Sequence, residues 1–450
     1  MPAESDALLV PLLGSPALAP IFGDQGRLQG MLDFEAALAR AEAAAGVIPA
    51  TAVPAIVANC RAALFDPAAL AEATMLSGNP AIPLVKRLTA LVAADDPGAA
   101  RFVHWGATSQ DAIDTGLILQ LREALTRIER ELRRLAAAQA ELATRYGQTP
   151  LAGRTWLQQA LPVTFGLKAA GWLDATTRHR ARLAEIKPRL LVLQFGGAAG
   201  TLASLGDRGL AVAEALARDL GLDLPALPWH SHRDRLAEFG AALGLIVGSL
   251  GKIARDLSLM MQTEIGEAFE PAAPGRGGSS TMPHKRNPVA AAAVLAAAAR
   301  APGLVATLFS GLVQEHERGL GGWQAEWAAV PELVMLTEGA ISKLADTLEG
   351  LDVDAARMRR NLDLTHGLLM AEAVMMALGA KLGRLAAHDR IESACHKAIT
   401  EGRHLREVLA EDRAVIAELG QDGLARLFDP EAYLGATAAM IARLLATHKP

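Results

Sequence analysis

The segment Pro271–Asn287, PAAPGRGGSSTMPHKRN, gathers residue types suited to moving a proton beside an anion. Gly277-Gly278 lets the backbone approach a ligand closely and adopt positive φ. Ser279 and Ser280 follow directly. Lys285, Arg286 and Asn287 close the segment and lead into a helix N-terminus, where the dipole and free N–H groups favour negative charge. A serine hydroxyl held among cations and backbone donors has its alkoxide stabilised. Such a serine can exchange a proton with a carbon next to a carboxylate. Composition alone also fits a plain flexible surface loop, but a Gly-rich connection of this length inside a helical bundle is usually functional or disordered. A phosphate loop is excluded, because no Gly-Lys-Ser/Thr follows at the required spacing.

Three further segments carry candidate chemistry. His104–Thr115, HWGATSQDAIDT, offers the His104 imidazole, the Thr108 and Ser109 hydroxyls, and N–H groups at the start of a long helix. Asp111 equally suits an N-terminal cap, and a histidine such as His104, taken alone, is more often structural than catalytic. Gly153–Gly166, GRTWLQQALPVTFG, surrounds Trp156 with Arg154, Gln158 and Gln159, which favours a ligand-facing wall over a core position. His230 and His232 form a His-x-His pair, but no cysteine or third ligand is arranged with them, so no metal is expected. Arg233 beside them is the better functional candidate, as a carboxylate partner.

Helices must position these residues. Hydrophobic residues make up 51% of the chain but aromatics only 4%, so the apolar content is mainly Ala, Leu and Val, which favours closely packed helices. At 450 residues the chain exceeds one small core. Leu121, Leu125, Ile128, Leu132, Leu135 and Leu142 repeat every 3.5 residues on average and predict one helix from about Asp111 to Tyr146. At ~50 Å it needs partners, and its stripe, read as exposed, suggests association between chains. Further helices are expected over Leu161–Lys187, ending or kinking at Pro188, over Arg235–Glu270, over Asn287–Val313 with a break near Pro302-Gly303, and over Trp323–Leu351. No strand alternation is evident. The fold class is all-α, in three helical domains: 1–105, a central long-helix bundle over 106–350, and 351–450 with an amphipathic run at Ala432–Thr447. The apolar runs Phe239–Gly251 and Val289–Ala299 fall short of the ~18–20 residues of a membrane span, and Met1–Gly26 has no basic signal region. Cys60 and Cys395 match no metal spacing, so a reducing, cytoplasmic compartment is expected. A net charge of −5 gives no reason to expect nucleic acid or acidic lipid as a partner.

Gly278–Pro288, GSSTMPHKRNP, resembles the signature of the fumarase/aspartase superfamily over eleven consecutive positions. That superfamily adds or removes a proton α to a carboxylate through an aci-carboxylate intermediate. The resemblance implies that Ser279 is the acid/base, next to Ser280, and that Lys285 and Asn287 hold a carboxylate and its growing charge. HWGATSQD resembles the family's His-x-Gly-x-Thr-Ser-x-Asp and implies site roles for His104, Thr108 and Ser109. GRTW resembles Gly-Arg-Thr-His, with Thr155 and Gln158 matching. Trp156 stands where fumarases and adenylosuccinate lyases have the histidine that helps expel the leaving group. His316-Glu317-Arg318 resembles the adenylosuccinate lyase motif, with Glu326 at the matching distance, but Trp323 and Trp327 replace that lyase's phosphate-binding serine and arginine. Gln314–Trp327, Thr155–Gly166, Trp229–Arg235 and Leu427–Gly435 instead look like the 3-carboxymuconate cycloisomerase branch, a likeness that covers nearly the whole chain.

That branch implies closure of a tricarboxylate diene to a lactone by one of its own carboxylates. The chemistry tolerates loss of the lyase histidine and needs no metal or organic cofactor. It also implies a homotetramer whose central bundle is shared and whose sites draw on three subunits. The alternatives are a fumarate-releasing lyase such as adenylosuccinate lyase, and a structural protein, since this superfamily has been reused as lens crystallins.

Overall fold

The computed structural model describes residues 8–278 and 281–448. Six long helices organise it: α1 (Asp24–Ala44), α2 (Ser109–Arg145), α3 (Phe165–Leu190), α4 (Asp234–Met260), α5 (Val289–Ser310) and α6 (Gly322–Glu349). Shorter helices, connecting loops and two small strand pairs make up the remainder, so the all-α fold class holds.

The leucine stripe of α2 forms as its spacing dictates, but Leu121, Leu125, Ile128, Leu132 and Leu135 are at most 1% exposed within the single chain. The stripe is therefore spent on the chain's own core and is not the exposed association face expected of it. Small residues set the helix spacing. A Cβ added to Gly30 of α1 would lie 2.8 Å from the Gly116 carbonyl oxygen of α2. Along α4, Gly240, Gly244 and Gly251 face Leu308, Val305 and Ala298 of α5. This is how a chain rich in Ala and Gly reaches close packing without large aromatics.

Two sequence expectations change. First, the helix read as starting at Leu161 starts at Phe165, because Pro150–Thr155 (β1) and Gln158–Thr164 (β2) form an antiparallel hairpin. Its turn is Trp156-Leu157, both at positive φ (53° and 65°), where hairpin turns usually carry Asn or Gly. With Pro162 inside the second strand as well, no hairpin signal was visible. A second pair joins Ala268–Phe269 (β3) to Asp352–Val353 (β4). Second, Pro188, Pro302 and Pro331 sit inside α3, α5 and α6 without ending them. As whole helices α4 and α5 are also longer than their apolar runs, and each could cross a membrane by length and composition, a criterion that core helices also meet.

The described residues fall into two compact units. One comprises the residues up to Leu132 with Arg178–Gly251 and Ala293–Lys343. The other comprises Arg133–Thr177, Lys252–Ala292 and the chain from Leu344 on. In the second, Val374, Leu378, Ile391, Leu405, Leu409 and Val415 form a C-terminal core, and Ala152 of β1 packs with Leu362, Leu369 and Met370.

Candidate active site

In the first unit the site is built around the N-terminus of α2. Asp111, in the first helical turn, accepts from the Thr108 N–H (3.1 Å), which closes the preceding loop as in a capping box. The same carboxylate accepts from Gln194 Nε2 (3.1 Å) and from the N–H groups of Gly196 (3.0 Å) and Gly197 (2.9 Å). It also pairs with His230 Nε2 (2.8 Å). Asp111 is thus not the N-cap itself but sits inside the first turn and reaches back, and this one buried carboxylate ties three segments together. His230 is committed to Asp111, while His232 is exposed.

Arg233 meets carboxylates of the protein, not a free site. It is 1% exposed, donates through Nη1 and Nη2 to Asp114 (2.7 and 3.0 Å), and through Nε and Nη2 to Glu326 (3.1 and 2.6 Å). Trp323 Nε1 donates to Asp114 (3.0 Å), as does Gln110 Nε2 (3.1 Å). Burial opposes the guanidinium's charge, but the two carboxylates hold its pKa above even the ordinary arginine value. The expected substrate contact is corrected: a fully enclosed guanidinium with two partners has no face left for a ligand. Trp323 shares this network and packs edge-to-face on Trp327 at 4.9 Å.

Arg318 does reach the predicted group. Its Nη1 donates to Thr108 Oγ1 (3.2 Å) and its Nη2 to the Ala198 carbonyl (2.8 Å). Ser109 opens α2. His104, half-buried at φ 59°, pairs through Nδ1 with Glu35 Oε1 at 2.6 Å. Burial works against the charged ring, but Glu35 and, more weakly, Asp111 outweigh it and lift the His104 pKa above the ordinary value. Arg318 and Thr108 are therefore in direct contact, with Ser109 next in sequence and His104 four residues before Thr108.

In the second unit the signature loop is pinned at its base. The Asn287 N–H donates to the Gly277 carbonyl (2.8 Å), and a Cβ on Gly277 (φ 67°) would lie 2.7 Å from the Asn287 oxygen. Arg286 donates to Asp352 (3.1 Å) and to the Glu270 carbonyl (2.8 Å), and lies over the Phe269 ring at 4.7 Å. The N–H groups of Ala290 and Ala291 at the start of α5 donate to Glu270 (3.1 and 2.9 Å). The anion-binding potential expected of this helix end is thus met by the protein's own carboxylate. Lys285 is exposed. Ser279 and Ser280 lie outside the described residues.

The hairpin belongs to the same unit. Arg154 is bound in bidentate fashion to the buried Glu267 (3.0 and 2.7 Å), which Asn361 also contacts (2.8 Å). This pair anchors the hairpin, and the Arg154 side chain keeps 21% of its surface exposed. Thr155, Trp156 and Gln158 are exposed at the tip, with Trp156 97% exposed.

A family profile described as lyase matches residues 14–303, and one described as the adenylosuccinate lyase C-terminus matches residues 367–444. The chain belongs to the fumarase/aspartase superfamily. Among its relatives in that superfamily, the 3-carboxy-cis,cis-muconate cycloisomerase of Pseudomonas aeruginosa is 63% identical, over 95% of this chain and 93% of that protein. The crystal structure of the 3-carboxy-cis,cis-muconate lactonizing enzyme from Pseudomonas putida matches with a TM-score of 0.93 and 56% identity, covering 98% of both chains. A fumarate lyase from Mesorhizobium sp. matches with a TM-score of 0.89 and 42% identity, over 97% of this chain and 99% of that one.

Sequence reasoning missed Glu35, Glu267, Glu270 and Asp114, the carboxylates that organise superfamily residues of this chain. Glu35 and Glu42 did leave a trace: they lie seven apart, and so on one face of the helix, which is its buried face.

Proposed function

We propose that this protein closes 3-carboxy-cis,cis-muconate to 4-carboxymuconolactone. The observation that carries the reading is the 63% identity to a 3-carboxy-cis,cis-muconate cycloisomerase over nearly the full length of both chains. One substrate carboxylate adds across the conjugated diene, and the resulting aci-carboxylate carbon takes a proton. Ser279 donates that proton. Lys285 and Asn287 hold the carboxylate on which charge grows, and His104, Thr108, Ser109 and Arg318 take another carboxylate. Folding the diene so that its ends meet lowers the barrier by making the attack intramolecular.

In this reading the working enzyme is a cytoplasmic homotetramer whose central domain, 106–350, lies between the flanking domains 1–105 and 351–450 and supplies the shared bundle. Two features support assembly. Ala292, Ala299, Pro302, Gly303, Ala306 and Phe309 leave an exposed apolar surface on α5. The hairpin tip presents Trp156 and Gln158 outward, suited to completing a site on a neighbouring subunit.

Loss of muconate absorbance with purified protein tests the activity. Ser279→Ala lowers the rate ~10²–10⁴-fold with folding unchanged; a rate within a few-fold of wild type removes Ser279 from the role. A fumarate-releasing lyase is the second reading, favoured by the match of residues 367–444 to the adenylosuccinate lyase C-terminus. Efficient release of fumarate from adenylosuccinate, without lactone formation, would establish it instead.

A further inference from the structure

Two buried carboxylates of α1 have no role in the mechanism above. Glu35, 1% exposed at its side chain, uses Oε1 to hold His104 Nδ1 at 2.6 Å, and its Oε2 has no hydrogen-bond partner. Glu42, one heptad along the same face, is fully buried with neither oxygen partnered. Burying such groups costs stability unless something is gained in return. His104 itself holds a left-handed backbone conformation at φ 59°, rare outside glycine and asparagine, and Gly106 follows at φ 73°. Strain of this kind persists where surrounding structure over-determines it, and it clusters at ligand sites.

We propose that Glu35 is a positioning residue: it clamps the His104 ring through Nδ1 so that the Nε2–H serves as a charged donor to a substrate carboxylate. The proposal rests on the reading of His104 as a site residue. Among the described residues Nε2 has no hydrogen-bond partner, and the ring is 16% exposed, so one edge is held and the other is open to a ligand. The charged groups that act on the ring are Glu35 and Asp111. Asp111 is saturated by its own donors, so Glu35 supplies the direct contact. Burial, and then the neighbouring Glu35, push the Glu42 pKa up to about 9, so at neutral pH Glu42 is an uncharged acid. Arg318, bound to Thr108 four residues beyond His104, adds a second cation to the same segment. The ligand class that fits is a carboxylate.

The experiment uses the full-length enzyme and its Glu35→Gln and Glu35→Asp variants. Diethyl pyrocarbonate acylates an imidazole only in its neutral form, so its rate on His104, followed by mass spectrometry of that peptide across pH, gives the His104 titration midpoint. Glu35→Gln lowers that midpoint by about one pH unit or more, and Glu35→Asp, which keeps the charge, restores part of it. The alkaline limb of kcat/KM moves to lower pH by the same amount, with KM rising more than kcat falls and the thermal midpoint little changed. An unmoved His104 midpoint in Glu35→Gln overturns the proposal. A shifted midpoint with an unmoved kcat/KM limb also overturns it, and places the fault in the site reading of His104 rather than in the pair. A merely structural pair would change thermal stability without moving the limb.

Discussion

At the scale of single residues, the chain keeps its charges buried only where a partner or a proton compensates them. Glu42 has the proton. Its folded pKa of about 9 lies above the unfolded value of 4.5, so the folded state binds the extra proton. The sign follows from linkage: stability from this group is fully present below pH 4.5 and declines as pH rises towards 9. Glu42→Gln, which stays neutral, should therefore be more stable than wild type at pH 7, by up to about 3 kcal/mol, and indistinguishable near pH 4. Urea unfolding at both pH values checks this, and equal stability at pH 7 would show that folding does not raise the Glu42 pKa. Arg233 is the opposite case, a charge compensated by partners. Arg233→Met should cost about 3–5 kcal/mol, because it strands Asp114 and Glu326 as buried anions. The deficit should shrink at acid pH as the stranded carboxylates take protons. A loss under about 1 kcal/mol would mean that water reaches the pair.

At the scale of elements, the signature loop is a clasp. Gly277 and Asn287 are joined through the backbone at the loop's base, and Arg286 ties the same base to β3 and β4. Gly277→Ala forces a side chain into left-handed backbone, at about 1–2 kcal/mol, and its Cβ would collide with the Asn287 carbonyl. The expected outcome is a drop in kcat/KM on the order of tenfold with a thermal midpoint shifted by only a few degrees, since most of the loop is exposed. Unchanged kinetics would show that the clasp does not set the geometry of Lys285 and Asn287. The hairpin follows the same logic of a fixed base and a free tip. Ala152 packs with Leu362 and Leu369 below, Glu267 holds Arg154 just before the turn, and Trp156 projects from it.

At the scale of the whole molecule, a site shared between subunits predicts complementation. Ser279→Ala and His104→Asn should each be nearly inactive alone. Co-refolded in equal amounts, they should recover activity, with about a quarter of sites intact by random assortment if the two residues come from different subunits. Light scattering on the same samples reports the assembly state. Tetramers with no recovery would place both residues in one chain's site. The α2 stripe cannot supply the association face, being buried within the chain, whereas the exposed surface of α5 is apolar and available.

The sequence by itself determined what is local. The 3.5-residue period of α2 fixed a long helix because side chains every third and fourth position share a face. Gly278–Pro288 fixed the superfamily because its residue order is contiguous. Tertiary structure decided everything that depends on which distant groups meet. Arg233 and Arg154 both read as free cations, yet their carboxylates stand 93 and 119 residues away in one case and 113 in the other. His104 reads as a lone imidazole, and its Glu35 lies 69 residues upstream. The hairpin was hidden because its turn uses Trp and Leu at positive φ, a conformation that long-range packing of β1 and β2 enforces against local preference. Periodicity and motifs are written in neighbouring residues. The partner of a buried charge is set by the path of the backbone, because an ion pair stabilises only at a few ångströms and sequence separation places no limit on which groups come that close.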